Sequence, residues 1–142
     1  MTDLPDVNVW VAISVPSHPH HSRALRYWNE EAQARVAFCS ITLVGFLRVL
    51  TVPHVAGNMP MSLDEAWATY QAWQSDPSVD FVGDPTDASK QLGRLIGQRA
   101  VRPRTWTDAY LAALAITDDY RLVTFDGDMQ QFSGLSKLLL GP

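Results

Sequence analysis

The chain alternates short apolar runs with longer stretches of helical period, and aspartate recurs where the runs end. Leu4-Pro5-Asp6-Val7, Arg35-Val36-Ala37-Phe38-Cys39, Val79-Asp80-Phe81-Val82 and Arg121-Leu122-Val123-Thr124-Phe125 read as strands, with Leu138-Leu139-Leu140 as an edge strand. Helices are predicted from near Asn8, over His20–Arg35, after Ser40, from Ser62 to about Asp76, from Thr86 to Arg99, and from Thr107. Ser62-Leu63-Asp64-Glu65 is a capping box, in which the Ser and Glu side chains satisfy each other's backbone donors. Asn8, Ser40, Thr86 and Thr107 are the predicted caps of the other helices. Pro5 lacks an N–H and so belongs at the start or edge of its strand. Strands alternating with helices predict an α/β fold, with a mainly parallel sheet of four to five strands covered on both faces.

At 142 residues the chain is expected to form a single domain, 1–142. A hydrophobic content of 46% argues against a disordered chain. The single cysteine, Cys39, rules out an internal disulfide framework, fits a reducing compartment and reads as a buried thiol. No basic stretch leads into an apolar one at the N-terminus, and no apolar run has the length of a membrane span. A cytoplasmic protein is expected. The net charge of −4 disfavours a general nucleic-acid-coating protein. Yet five of the 11 cationic residues, Lys90, Arg94, Arg99, Arg102 and Arg104, lead directly into Asp108.

Asp6, Asp108, Asp126 and Asp128 are far apart in sequence, but strand ends and helix starts converge on one edge of an α/β sheet. Singly, each has a bland reading. Asp6 and Asn8 suit a strand-to-helix turn, Asp108 complements a helix dipole, and Asp126-Gly127-Asp128 is a turn. Together they would repel one another and raise their pKa values unless a cation were bound. Oxygen ligands select hard ions such as Mg²⁺ or Mn²⁺, and carboxylate-held metals serve phosphate-ester chemistry. His18, His20 and His21 suggest zinc, but adjacent histidines at a helix start cannot easily aim at one ion, and a solvated loop is the better reading. Trp106, beside Asp108, is read as packing in preference to base stacking.

The segments Leu4-Pro5-Asp6-Val7-Asn8-Val9-Trp10, Ser40 to Thr51, Trp106-Thr107-Asp108-Ala109-Tyr110-Leu111-Ala112-Ala113 and Leu122-Val123-Thr124-Phe125-Asp126 resemble, in order and spacing, a PIN-domain ribonuclease of the VapC toxin type. The resemblance implies a PIN-like α/β/α sandwich, a Mg²⁺ or Mn²⁺ cofactor, and endonucleolytic cleavage of RNA leaving 5′-phosphate and 3′-hydroxyl ends. By position, Asp6, Asp108 and Asp126 become the catalytic acids. Asp6 and Asp108 are the main metal ligands, with Asp126 as a third and Asp128 acting through water. Asn8 and Thr107 are supporting residues, Asn8 by orienting Asp6. Arg99, Arg102 and Arg104 would grip flanking phosphates. The implied partners are the RNA substrate, a small antitoxin and a second copy in a homodimer, with no membrane.

One departure stands out. Many PIN domains carry a glutamate about three residues past a threonine on the helix after the second strand, whereas Thr42 is followed by Leu43, Val44 and Gly45. This puts a second tightly held metal in doubt. It also leaves open a non-catalytic PIN-like domain that binds RNA or protein, which a metal titration would separate from a nuclease.

Overall fold

The computed structural model describes residues 1–53, 59–98 and 101–141. Five parallel strands form one sheet: β1 (Thr2–Pro5), β2 (Arg35–Phe38), β3 (Val79–Phe81), β4 (Arg121–Thr124) and β5 (Lys137–Leu139), in the order β3-β2-β1-β4-β5. The chain winds outward from β1 in one direction, then returns to β1's other side with β4. The topological switch point therefore lies between β1 and β4, where α/β sheets open a crevice beyond their carboxyl ends.

The helices are α1 (Val7–Ser14), α2 (His21–Arg26, continued by a π turn over Tyr27–Glu31), α3 (Ser40–Thr51), α4 (Leu63–Gln74), α5 (Ala88–Gly97) and α6 (Trp106–Thr117). Alternation along the strands divides the core. Val36 and Phe38 face α1, α3 and α4, while Leu4, Ala37 and Leu122 face α5 and α6. Val123 joins α1 and the α2 segment in a third cluster with Ala24 and Tyr27. The result is the α/β/α sandwich expected.

Trp10 anchors the first layer. Its ring stacks on Phe38 with centroids 3.9 Å apart and meets Trp73 edge-on at 5.2 Å. Its Nε1–H has no hydrogen-bond partner among the described residues. An unsatisfied donor costs about 1–3 kcal/mol, whereas burying roughly 200 Å² of aromatic surface contributes on the order of 5 kcal/mol, so packing wins.

Several boundaries differ from expectation. Asp6, not Asn8, caps α1. Ser40 is the first residue of α3, behind Cys39, whose backbone N–H is held by Thr42 Oγ1 at 2.9 Å. Thr107 lies inside α6, which starts behind Thr105 and is preceded by a 3-10 turn over Pro103–Thr105. Pro5 ends the central strand instead of starting an edge one. Its missing N–H is harmless there, because the next donor, the Asp6 N–H, resumes the bonding to Val123 O at 2.8 Å. Cys39 is fully buried. Ser62 and Glu65 form the expected capping box.

Candidate active site

Asp6 and Asp126 each follow the last residue or residues of adjacent strands, so the sheet itself brings them to the switch-point crevice. Asp108 joins from the first turn of α6. Asp6, Asp108 and Asp126 line one cavity of about 340 Å³ together with Asn8 and His18. Asp6 and Asp108 also line a second cavity, of about 570 Å³, with Ser40, Gly45, Arg48 and Thr107. The two acids thus sit between two adjoining hollows. Asp128 does not line either, but its charge acts on Asp108.

The backbone and a single hydroxyl hold Asp6. Its Oδ1 accepts the Val7 N–H at 2.8 Å, and its Oδ2 accepts the Thr124 hydroxyl at 3.0 Å. Thr124 is fully buried at the end of β4. Its oxygen in turn accepts the Asp126 N–H at 3.0 Å and the Asn8 amide at 3.4 Å. The Asn8 carbonyl accepts the Phe125 N–H at 3.3 Å. Asn8 therefore steadies Asp6 through Thr124, not by direct contact. Thr124 was not singled out from the sequence, although a lone hydroxyl ending an apolar strand just before Asp126 was its signal. Asp126 Oδ1 accepts the Asp128 N–H at 2.9 Å, which closes the turn.

The electrostatics follow from this crowding. Burial raises the Asp108 carboxyl from its ordinary value of 3.8 to about 6, with further increments from Asp6, Asp126 and Asp128. Burial also raises Asp6, against the lowering effect of its bonds from Thr124 and Val7, and Asp126 adds to the rise. None of the four aspartates has an ion pair among the described residues.

This donor set fits a hard divalent ion. Its ligands are carboxylate oxygens without a thiol, and a cation would offset the burial and the like-charge repulsion that raise Asp108. Among the described residues no three His, Cys, Asp or Glu side chains are already drawn together to enclose an ion. Mg²⁺ tolerates that arrangement, since it usually keeps several waters and uses one or two carboxylates plus substrate phosphates.

The remaining predicted residues are more scattered. Thr107 lines the larger hollow. Arg102 and Arg104 are exposed beside the start of α6, and neither lines the two hollows. Arg99 lies outside the described residues, as does His54. Trp106 is 48% exposed, so it is not the packing residue expected. His20 stacks on Phe125 with centroids 4.8 Å apart, and His21 Nδ1 lies 2.7 Å from Ala12 O.

A crevice at the switch point of a five-stranded parallel sheet, lined by aspartates from β1, β4 and α6, is the arrangement of a PIN domain, and residues 4–135 match the family described as PIN domain. The chain belongs to this family. Within it the chain belongs with the VapC ribonucleases: it is 36% identical to Ribonuclease VapC41 of Mycobacterium tuberculosis over 96% of this chain and 97% of that protein. Ribonuclease VapC38 of the same organism is 33% identical over 87% of this chain and 84% of its own length. Among solved structures, M. tuberculosis VapC20, described as a Sarcin-Ricin loop cleaving toxin, has a TM-score of 0.68 at 19% identity, covering 90% of this chain and 92% of that one. DNA-bound VapBC from Salmonella typhimurium has a TM-score of 0.67 at 17% identity, covering 97% of each chain. These two likenesses concern the fold alone. No helix among the described residues is long and apolar enough to cross a membrane.

Proposed function

We propose that this chain is a divalent-metal-dependent endoribonuclease, the toxin half of a type II toxin–antitoxin pair, acting in the cytoplasm on RNA phosphodiester bonds. The observation that carries the reading is a pair of partly buried, like-charged carboxylates, Asp6 and Asp108, in one crevice with no cationic partner among the described residues. Uncompensated charge of this kind costs stability and is kept where a ligand compensates it.

Asp6 and Asp108 would hold Mg²⁺, or Mn²⁺, with Asp126, which lines the smaller hollow with them, as a third acid and Asp128 adding negative field from outside it. When bound, such an ion polarises a phosphate oxygen and lowers the pKa of water. The protein's own part is orientation. Thr124 and the Val7 N–H each hold one oxygen of Asp6, and Asn8 locks Thr124 in place. Asp108 must be ionised to bind a cation, so binding should strengthen as pH rises through about 6.

A small antitoxin is the proposed protein partner, a reading supported by the likeness in fold to VapBC from Salmonella typhimurium. A homodimer is proposed as the assembly. Two observations favour a non-catalytic alternative: among the described residues three ligands are not gathered in advance, and none of Leu43, Val44 and Gly45, where the family glutamate would stand, is acidic. The experiment that decides is sequencing RNA ends after incubation with total RNA and Mg²⁺. New 5′-phosphate ends should appear with the native chain and vanish with Asp6→Asn. Equal cleavage by the two proteins would remove Asp6 from the mechanism.

A further inference from the structure

The arginines nearest the acidic pair in sequence are not those nearest it in the cavities. Arg48 comes from the last turn of α3, sixty residues before Asp108 in sequence, yet it lines the larger hollow with Asp6 and Asp108. Its side chain is exposed and makes no hydrogen bond or ion pair among the described residues. A guanidinium that borders two carboxylates without pairing to either remains free to bind another anion. The neighbouring wall at Gly45 explains why a carboxylate does not take that place. A Cβ there would come within 2.6 Å of Val7 Cγ2, on the residue that follows Asp6.

His18 occupies the other side. It lines the smaller hollow with Asp6, Asp108 and Asp126. Its Nδ1 accepts the His20 N–H at 3.0 Å. A neutral imidazole that accepts through Nδ1 carries its proton on Nε2, so His18 keeps a donor for a ligand.

We infer that a single RNA strand crosses the acidic pair along both hollows, with Arg48 gripping a phosphate on one side and His18 donating to the strand on the other. The inference rests on the nuclease reading and adds to it the path of the substrate. It moves the main phosphate contact from the exposed Arg102 and Arg104 to Arg48. A guanidinium suits this role because its planar fork matches two phosphate oxygens at once, a contact lysine cannot reproduce.

The test is fluorescence anisotropy with a short labelled single-stranded RNA of mixed sequence in EDTA, titrated over a range of salt, together with steady-state cleavage in Mg²⁺. Arg48→Gln should weaken binding about tenfold and lower the slope of log affinity against log salt by roughly 0.7, one single-strand phosphate contact. Arg48→Lys should keep the slope and recover part of the affinity. His18→Gln should weaken binding several-fold with the slope unchanged, since a neutral donor releases no counterion. In Mg²⁺, Arg48→Gln should raise KM more than it lowers kcat. Arg94→Gln, on α5 beside a different hollow, serves as the charge control and should leave slope and KM alone. Native cleavage with an unchanged slope and KM in Arg48→Gln would overturn this inference and spare the nuclease reading. A native chain that neither binds nor cuts RNA would overturn both.

Discussion

Asp3 lies within β1 and Asp6 just past its end, three residues on, and the protein treats them in opposite ways. Asp3 is fully buried and fully compensated. Arg121 meets both its oxygens, at 2.7 and 2.8 Å, while the Tyr27 hydroxyl at 2.8 Å and the Gln33 N–H at 3.0 Å also donate to Oδ2. The π turn of α2 carries Tyr27 into this cluster, and burial beside the Asp3 carboxylate raises the phenol well above its ordinary value. Asp6 receives one hydroxyl and one backbone N–H, but its charged neighbours are aspartates. Both acids are positioned by the central strand. What separates a structural carboxylate from a candidate ligand here is the presence of a cation in the fold, not burial.

The contrast predicts opposite responses to mutation. The largest effect should follow Arg121→Met, which strands a buried charge on Asp3 and should cost about 3–5 kcal/mol in urea denaturation. A loss under about 1 kcal/mol would mean that Asp3 does not depend on Arg121 for its compensation. Asp108→Asn should do the reverse: cleavage falls about 100-fold or more, roughly 3 kcal/mol of transition-state stabilisation, while the metal-free fold is undamaged. Unfolding of that variant would place Asp108 with Asp3 as a structural acid.

The pH dependence sharpens the same distinction. Folding raises the Asp108 pKa from 3.8 to about 6, so between those values the folded chain holds more protons than the unfolded one. This group's stabilising contribution is complete below 3.8 and is lost as pH rises through about 6. In EDTA near neutral pH, Asp108→Asn should therefore melt a few degrees above the native chain, about 1 kcal/mol for a protein of this size. The gap should close as pH falls toward 3.8. A constant gap across that range would show that the carboxylate titrates normally. The smallest effect is expected for Gly45→Ala. Overpacking against Val7 should slightly outweigh the roughly 1 kcal/mol gained in helix propensity, leaving a net loss of about 0.5 kcal/mol by denaturation. A net gain would mean that α1 and α3 separate freely.

The sheet and most helices were legible because their patterns are local: near-continuous apolar runs for buried strands, and a capping box at Ser62. Asp6, Asp108 and Asp126 could be placed in one crevice from topology, since strand ends and helix starts share an edge. Long-range partnerships were not legible. Nothing local marks Asp3, whose partners are Arg121, Tyr27 and Gln33, or shows that Arg48 rather than Arg104 borders the acids. Caps shifted by one or two residues because Asp6 and Asn8 are both competent caps, and tertiary bonding to Thr124 and Phe125 decides between them. Trp106 was misread because a tryptophan's burial depends on which elements cover it, and little covers the start of α6.

The proposed chemistry requires a divalent ion held by Asp6 and Asp108, and calorimetric titration of Mn²⁺ into the metal-free protein tests for it directly. A saturable site should appear in the native chain and weaken at least about tenfold in Asp6→Asn and in Asp108→Asn. An equally tight site in both variants, or no saturable binding to the native chain, would contradict it.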